Sequence, residues 1–338
     1  MTAAMTMALA DPGALGAWLD TQGIEPGTPL TVEPMAGGGS NAMFRVERGA
    51  GRWVLRRPAR VAIDRADAGM LRESQILRGL AGSVVPHPEV VAVCTDRSVL
   101  GCTFYLMQHV EGRPPIPVPA ELDTPNGRRQ IVFAVVDALA RLHDFDWRGA
   151  GLAHLGHPEG FHERQVERWT RQLRAYGGRE LPRVGIITEW LGAHLPESFI
   201  PALMHGDYHM MNILMTTGAP AVPPAVAAIV DWETATIGDP LLDLAGLCEA
   251  WTRHGGDGWP PAAELVEAYR AARGLPELPG LRYYEVLYNF RLAVLLEGIS
   301  QRAQRDPTQA DQPVLGELAV RHAERAARLT ADSPAGEP

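Results

Sequence analysis

The sequence predicts an α+β protein in which a small antiparallel β portion precedes a larger, mainly helical portion. Two observations predict this class. Short apolar segments punctuated by glycine clusters dominate the first 107 of the 338 residues. Long segments with apolar residues at helical spacing dominate the remainder. The hydrophobic content of 46% suffices for one large or two ordinary globular units, so we do not expect most of the chain to be disordered.

The elements of the first part follow from local signals. DPGALGAWLDTQG predicts a short capped helix, and LTVEPM, AMFRVERG and GRWVLRRP predict strands joined at Gly37-Gly38-Gly39 and Gly49-Ala50-Gly51. DRADAGMLRESQILRGLAG has helical spacing and ends at glycine, and VVAVCTD and GCTFYLMQHV predict two more strands. We therefore expect a five-stranded antiparallel sheet with one inserted helix.

The second part is predicted to be a helical unit interrupted by two short apolar runs. RRQIVFAVVDALARLHDF and HERQVERWTRQLRAYG predict long amphipathic helices, and ALMHGDYHMMNILM and AVAAIVDWE are the interruptions. The polar tail has little apolar surface to dock. The predicted organisation is a first lobe at 1–107, a hinge at 108–112, a second lobe at 113–329 and a poorly ordered tail at 330–338.

Charge excludes one class of partner. Ten arginines balance ten acids in residues 1–107, so the net charge of −9 resides in the second part. This acidity disfavours non-specific nucleic-acid binding, which needs a basic surface. The chain contains no lysine, so every cation that it offers to a ligand must be arginine, protonated histidine or a metal ion.

The sequence favours neither secretion nor membrane insertion. No basic segment precedes the apolar N-terminal stretch, and no run reaches the roughly 18 apolar residues of a membrane span. Three cysteines without CxxC spacing suggest neither a disulfide framework nor a structural zinc site. We therefore expect a soluble, cytoplasmic protein with no membrane partner and leave its oligomeric state open.

Three polar motifs close apolar runs in the second part. They are HGDYHMMNIL at 205–214, IVDWE at 229–233 and GDPLLDLA at 239–246. Phosphoryl transfer to a hydroxyl needs a carboxylate that deprotonates the acceptor and oxygen ligands for Mg²⁺. Asp207, followed five residues later by Asn212, supplies both, and Asp231 adds a second carboxylate. A lone HxD is usually structural, but the combined spacing favours a site.

These motifs resemble the aminoglycoside phosphotransferase family, also called the phosphotransferase enzyme family, over about residues 28–300. The resemblance implies a protein-kinase-like fold that uses ATP and Mg²⁺, with a small-molecule hydroxyl as acceptor. Asp207 would be the catalytic base, and Asn212 and Asp231 would bind Mg²⁺. Further implied roles are loop support by His205, γ-phosphate contact by His209, and bracing by Asp239 and Asp243. His205 could equally be a packed core histidine, and Asp243 an architectural acceptor.

The nucleotide is expected to bind the first lobe. Backbone N–H groups of Gly38, Gly39, Ser40 and Asn41 could cover the phosphates, although three glycines between strands are more often just a hairpin. Arg56 stands where kinases place a strand lysine, and Glu73 lies 17 residues on as its predicted partner. The alternative for Arg56 is a surface arginine, and Arg57 must point the opposite way along the strand. Backbone groups of Gln108 and Val110 would contact adenine.

The sequence indicates the phosphate acceptor less clearly than the nucleotide. The helical segments resemble a branch of the family that includes kinase-like domains joined to acyl-CoA dehydrogenases, which implies hydroxylated acyl substrates. The arginines of these helices would favour an anionic acceptor, unless they form only a solvated face; the acidity of the lobe points the other way. The candidate substrate residues are Arg164, Arg168, Arg291 and Arg302.

Two other functions stay open. A metal-dependent hydrolase could use His205, Asp207, His209 and Asp231 as ligands for Zn²⁺ or Mn²⁺, which leaves Asn212, the glycine-rich segment and the strand arginine unexplained. A nucleotide-binding scaffold without activity is the third interpretation. The complete set of base and metal ligands weighs against it, and ATP turnover would separate the three.

Overall fold

The computed structural model describes residues 9–35, 41–59, 64–216, 223–254, 258–305 and 313–331. The chain divides into two units, unit 1 and unit 2. Unit 1 comprises Met1–Arg141, Phe145–Leu155 and Met210–Ala235, and unit 2 comprises Leu142–Asp144, Gly156–His209 and Thr236–Pro338. The boundaries of the predicted nucleotide and substrate lobes stay a prediction, and most of the predicted tail lies outside the described residues.

Unit 1 contains the predicted five-stranded sheet. Its strand order is β1-β2-β3-β5-β4, and every neighbouring pair is antiparallel. A 17-residue helix lies between β3 and β4 in the chain, as expected. The predicted α+β class is therefore confirmed. The strands are β1 (Leu30–Pro34), β2 (Asn41–Arg48), β3 (Gly51–Pro58), β4 (Val90–Cys94), β5 (Phe104–Gln108), β6 (Ala202–Met204), β7 (Ile213–Thr216), β8 (Ala225–Ile229) and β9 (Thr236–Gly238).

The predicted helical segments are helices in the structure. Asp11 caps the first of them, and its carboxylate accepts from the N–H of Ala14 at 2.7 Å. None of the described helices combines the length and apolar composition that a bilayer crossing requires. The helices are α1 (Pro12–Thr21), α2 (Asp64–Leu80), α3 (Arg97–Leu100), α4 (Pro125–His143), α5 (Phe161–Tyr176), α6 (Val184–Ala193), α7 (Leu241–His254), α8 (Ala262–Ala272), α9 (Arg282–Arg305) and α10 (Pro313–Ala331).

The two faces of the sheet in unit 1 have different roles. Leu55 packs with Trp18 of α1 and with Phe104 in an apolar core on one face. Since side chains alternate along a strand, Arg57 lies on this face and Arg56 on the other. Arg57 is 1% exposed, and its guanidinium donates to the carbonyls of Leu9 and Leu100. The predicted opposition of the two arginines is thus visible in their contacts.

Unit 2 is built around α9. The first half of this helix is buried on nearly all sides, because Tyr283, Tyr284 and the five residues 286–290 are all buried. Small residues let α9 and α10 approach closely, since Ala293, Ala319 and Ala323 share a cluster with Leu181. The short strands β6 and β9 pair in the same unit, with Leu203 opposite Ile237, and they lead into the segments that carry the polar motifs.

Candidate active site

The β7–β8 hairpin of unit 1 brings Asn212 and Asp231 to the same end. Ile213 of β7 pairs with Ile229 of β8. The N–H of Val230 donates to the carbonyl of Asn212 at 2.9 Å. Asn212 immediately precedes β7 and Asp231 follows β8 by two residues, so the pairing sets the two predicted ligands beside each other. Amide and carboxylate oxygens are donors that suit Mg²⁺, so these residues fit that ion.

The backbone of Asp231 is held in an uncommon conformation. Its φ of 68° and ψ of 65° lie in the left-handed region, which few non-glycine residues adopt. Trp232 anchors the segment, because its buried indole N–H donates to the carbonyl of Ile229 at 2.9 Å. Its backbone N–H donates to Oε1 of Glu73 at 3.1 Å. Such strain persists only where the surroundings over-determine it, which is typical of functional sites.

Arg56 connects the predicted nucleotide and metal residues of unit 1. Its Nε donates to Oε2 of Glu73 at 2.9 Å, and its Nη2 donates to Oδ1 of Asp231 at 2.6 Å. The side chain is only 6% exposed, so Arg56 is not a surface arginine. Although burial by itself would lower it, the charges of Glu73 and Asp231 raise the pKa of Arg56. The guanidinium therefore stays charged inside the fold.

The cluster also contains Glu233, to which the sequence analysis gives no role. It contains Asn41 as well, which the sequence analysis predicts to contact phosphate. The Nδ2 of buried Asn41 donates to Oε2 of Glu233 at 3.1 Å, and this carboxylate lies 4.0 Å from Nη2 of Arg56. The only sequence signal was the position of Glu233 in the segment IVDWE, two residues after Asp231. The cluster thus holds a third carboxylate beside the strand arginine.

The other residues predicted to contact the nucleotide are in the glycine-rich segment and the hinge. Gly38, Gly39 and Ser40 lie outside the described residues. The backbone N–H of Gln108 donates to the carbonyl of Glu89 at 2.8 Å, so that donor is already used within the fold. This removes the predicted N–H contact from Gln108 to adenine unless the bond opens. Val110 is half-buried and stays a candidate.

In unit 2, Asp243 holds the loop that contains Asp207. Its Oδ2 accepts from the N–H of His205 at 2.6 Å, and its Oδ1 accepts from the N–H of Gly206 at 2.9 Å. Gly206 has φ +80°, a conformation that disfavours any side chain. Two charge-assisted bonds to successive N–H groups fix the backbone next to the predicted base. The bracing expected of Asp243 corresponds to these contacts.

Asp207 is open to solvent on one side and has cationic groups around it. Its side chain is 44% exposed, and Oδ2 lies 3.3 Å from Nε2 of His209. Burial alone would raise the pKa of Asp207, but the bond with His209 and the charges of His209 and Arg291 bring it below its ordinary value. The Nδ1 of fully buried His205 accepts from the N–H of Asp207 at 3.3 Å. His205 is therefore both a core histidine and a loop contact.

A chain of buried polar groups continues behind Asp243. Arg273 donates through Nη1 to the hydroxyl of Tyr269 at 2.9 Å, and that hydroxyl lies 2.7 Å from Nδ1 of His143. The Nε2 of His143 lies 3.4 Å from Oδ2 of Asp243. Burial lowers the pKa of His143 and so favours the neutral ring. Because a carboxylate only accepts, the single proton of the neutral ring lies on Nε2, and Nδ1 accepts from the hydroxyl of Tyr269. The role of His143 was not predicted from the sequence.

Asp239 ties β9 to the helices of unit 2. Its Oδ2 accepts from the hydroxyl of Tyr284 at 2.7 Å and lies 3.0 Å from Nε2 of His162. Its Oδ1 accepts from the N–H of Leu241 at 3.0 Å, at the start of α7. Asp239 thus has the bracing contacts that were expected of it, and it is 1% exposed.

The four candidate substrate arginines separate into three groups. Arg164 donates to the carbonyls of His157 and Glu159, so its guanidinium closes a loop and is not directed at a ligand. Arg302 is exposed on α9. Arg168 and Arg291 both lie against the ring of Trp169, with guanidinium carbons 4.9 and 5.6 Å from the ring centre. Of the four arginines, Arg168 and Arg291 are the pair that contacts the same side chain.

The side chains that are available as ligands indicate which kind of metal site this chain can form. A metal ion held by protein groups alone needs three or four of them. In the part of the chain that the structure describes, no three His, Cys, Asp or Glu side chains are grouped to hold one. Mg²⁺ held by one or two carboxylates together with nucleotide phosphates needs no such cluster. Asn212 and Asp231 fit the second kind of site.

The sequence matches the model of the phosphotransferase enzyme family over residues 31–285. Among curated proteins, acyl-CoA dehydrogenase family member 11 of Homo sapiens is 31% identical over 296 residues. The match covers 83% of this chain and 37% of that protein. The chain therefore spans about a third of the length of this relative.

Solved structures share the fold. A candidate aminoglycoside phosphotransferase from Ralstonia eutropha JMP134 superposes with a TM-score of 0.81 at 27% identity, covering 96% of this chain and 99% of that one. The GDP and kanamycin complex of the aminoglycoside phosphotransferase APH(2")-IIIa has a TM-score of 0.63 at 19% identity, covering 93% and 98%. At that identity, the second likeness shows the fold alone.

Proposed function

The chain belongs to the phosphotransferase enzyme family, and on this premise we propose that it is an ATP- and Mg²⁺-dependent kinase that phosphorylates a hydroxyl of a small molecule. The observation that carries the proposal is the buried bridge from Glu73 through Arg56 to Asp231. The chain has no lysine, so an arginine must take the place of the lysine that binds phosphates in kinases. The guanidinium of Arg56 could donate hydrogen bonds to phosphate oxygens, because arginine is always charged and presents several donors in one plane.

Unit 1 would bind the nucleotide. Asn212 and Asp231 would hold Mg²⁺, which supplies charge compensation for the phosphate oxygens when bound. Glu73 orients Arg56 and also accepts a hydrogen bond from fully buried Tyr105, whose pKa burial raises. The left-handed backbone of Asp231 and its bond with Arg56 would fix the position of its carboxylate. Asn41 would position the strand that follows the glycine-rich segment.

Unit 2 would supply the base. Asp207 would accept the proton of the acceptor hydroxyl, and its lowered pKa keeps it a carboxylate at neutral pH. Its exposed side leaves room for the hydroxyl to approach. His209 would orient the carboxylate from the other side. Asp243 would keep the loop in place while the proton moves, because both of its oxygens bind loop N–H groups.

The identity of the acceptor is the open part of this proposal. One structural neighbour was solved with kanamycin, and the sequence resembles part of an acyl-CoA dehydrogenase family member. Neither fact assigns an acceptor to this chain, and no dehydrogenase reaction is proposed, because the match covers about a third of that relative. Aminoglycosides, sugars, amino alcohols and hydroxylated acids are the classes to test. A cytoplasmic location likewise stays a proposal.

The test is transfer of labelled γ-phosphate by the purified chain. ATP and GTP are supplied separately with Mg²⁺, because one structural neighbour holds GDP. We expect label to appear on at least one hydroxyl compound, to require Mg²⁺, and to vanish in Asp207→Asn. Hydrolysis of phosphate esters with bound zinc or manganese and no ATP affinity would instead support a hydrolase. Tight nucleotide binding without turnover would support the scaffold.

A further inference from the structure

Helices α5 and α9 of unit 2 contact each other at two places that are seven residues apart on both helices. His162 of α5 and Tyr284 of α9 meet with ring centres 5.8 Å apart. Seven residues further along each helix, Trp169 and Arg291 meet, with the guanidinium carbon 5.6 Å from the ring centre. Seven residues are about two helical turns, so both pairs lie on the same helix faces and both chains advance in the same direction. The first pair is anchored to Asp239.

Trp169 is a rigid support for arginine. Its side chain is buried, and its indole N–H donates to Oε1 of Gln165 at 3.0 Å. Arg168 also lies over its ring, with the guanidinium carbon 4.9 Å from the centre. The face of an indole ring attracts a cation and leaves the edge donors of a guanidinium free for other bonds. Arg291 is thus held in place by a contact that does not use its N–H groups.

The guanidinium of Arg291 is near enough to Asp207 to act on its charge but is not bonded to any carboxylate that the structure describes. Among the described residues it forms no hydrogen bond and no ion pair, although it is half-buried. Two other arginines of unit 2 are paired with carboxylates: Arg179 lies 2.8 Å from Glu297, and Arg273 lies 2.8 Å from Asp144. A net charge of −9 means that carboxylates are plentiful in this chain. The N–H groups of this partly buried guanidinium are therefore available to bind an anionic ligand.

The position of Arg291 relates it to the proposed base. Its charge is one of those that keep the pKa of Asp207 low, after the bond with His209. A hydroxyl that approaches the open side of Asp207 would therefore carry neighbouring groups into the reach of this guanidinium. Arginine binds carboxylate and phosphate groups through two parallel hydrogen bonds.

We propose that Arg291, supported by Trp169, binds an anionic oxygen group of the acceptor, so that the enzyme selects hydroxyl compounds that carry a carboxylate or phosphate near the phosphorylated hydroxyl. This inference rests on the proposed kinase function. Arg291 would be a specificity-determining residue and Trp169 a positioning residue. Polycationic acceptors would be disfavoured, because their ammonium groups would meet a fixed positive charge.

The test compares matched acceptors that differ in charge. The pairs are 3-hydroxybutyrate with 3-hydroxybutyramide, and glycerol 3-phosphate with glycerol. We expect the wild type to favour the anionic member in kcat/KM by about 10- to 100-fold, and Arg291→Ala to lose most of that preference. Arg291→Lys should keep part of it, and Trp169→Phe should raise KM for the anionic member. Arg321→Ala, a change on α10 at a side chain that is 73% exposed, is the matched control.

Several outcomes would overturn the inference while leaving the kinase proposal intact. One is a wild type that phosphorylates neutral members as well as anionic ones. Another is an Arg291→Ala variant in which kcat falls equally for both members of a pair, because the guanidinium would then act on the transferred group or on Asp207. A KM for ATP that changes with the Arg291 variants alone would also contradict it.

Failure of the kinase proposal has a separate signature. If no compound is phosphorylated with either nucleotide, binding of inorganic sulfate at constant ionic strength still tests Arg291. We expect a saturable change of tryptophan fluorescence in the wild type that is absent in Arg291→Ala and reduced in Trp169→Phe. Identical sulfate titrations of the wild type and Arg291→Ala would refute an oxyanion site at this residue.

Discussion

The Nη2 of Arg56 lies 2.6 Å from Oδ1 of Asp231, although 175 residues separate them in the chain. The cation predicted to bind phosphates and the carboxylate predicted to bind Mg²⁺ therefore share one charge pair within unit 1. Because Glu73 holds the same guanidinium through Nε, a change at any of the three affects the other two. Mutations in this cluster must be compared with that coupling in mind.

Asp207→Asn is expected to reduce kcat by about 10²- to 10⁴-fold and to leave ATP binding unchanged. The amide keeps the size of the side chain but cannot accept the hydroxyl proton. Turnover and calorimetric ATP binding are measured on the same preparation. Asp137→Asn, an exposed change on α4, is the control. A near-normal kcat in Asp207→Asn would reject this residue as the base.

Asp231→Ala is expected to abolish the Mg²⁺ dependence of ATP binding, because the metal loses its anionic oxygen ligand. Asn212→Ala should weaken the same dependence less, since it removes a neutral ligand. Titrations with and without Mg²⁺ measure both effects. The Asp231 variant also releases Arg56 from an ion pair, so its thermal stability must be recorded alongside. An unaltered Mg²⁺ titration would count against the assignment.

Arg56→Ala is expected to weaken ATP binding and slow transfer, and Arg56→Lys should fall between the alanine variant and the wild type. Lysine keeps the charge but cannot bind Glu73 and Asp231 through one planar group. We expect Arg56→Lys to lower kcat more than it raises the KM for ATP, because the planar guanidinium would position the phosphates. Kinetics with ATP as the varied substrate measure this.

The control for these variants follows from the buried state of Arg57. Arg57→Ala would strip hydrogen bonds from the carbonyls of Leu9 and Leu100, so it should destabilise unit 1 by on the order of 2–3 kcal/mol. It is therefore unsuitable as a neutral comparison. Arg52→Ala, on the same strand with a side chain 66% exposed, is the appropriate control. Equal kinetics for Arg52→Ala and Arg56→Ala would mean that the wrong arginine was assigned.

His143 predicts a pH dependence of stability. Burial lowers its pKa below the ordinary 6.5, although Asp243 opposes this shift. A folded pKa below the unfolded one means that the unfolded chain binds more protons between the two values. The neutral histidine therefore contributes its full stability above about pH 6.5, and this contribution falls as the pH drops through the lower folded pKa.

The measurement is the free energy of unfolding at pH 7.5 and pH 5.5 for the wild type and His143→Gln. Glutamine can donate and accept as the neutral ring does, but it does not titrate. We expect the variant to lose less stability on acidification than the wild type. His154→Gln, an exposed change in unit 1, is the control. Parallel pH profiles for the wild type and His143→Gln would exclude a buried neutral histidine.

The strands, helices and family of this protein could be predicted from the sequence because their signals are local. The glycine-punctuated strands became the five-stranded sheet, and the spacing of Asp207, Asn212 and Asp231 sufficed to recognise the family. The opposite orientation of Arg56 and Arg57 followed from strand alternation alone. Each of these inferences needs only neighbours along the chain.

The contacts that give those residues their chemistry were decided by tertiary structure. Glu233 beside Asn41, the hydrogen-bond chain from Arg273 through Tyr269 and His143, and the support of Arg291 by Trp169 join side chains far apart in sequence. No periodicity encodes such pairs, because they depend on which helix faces pack together and at what level. Motif spacing thus identified the candidate base and metal ligands, whereas packing determined which groups hold them and which arginine lies on the ring of Trp169.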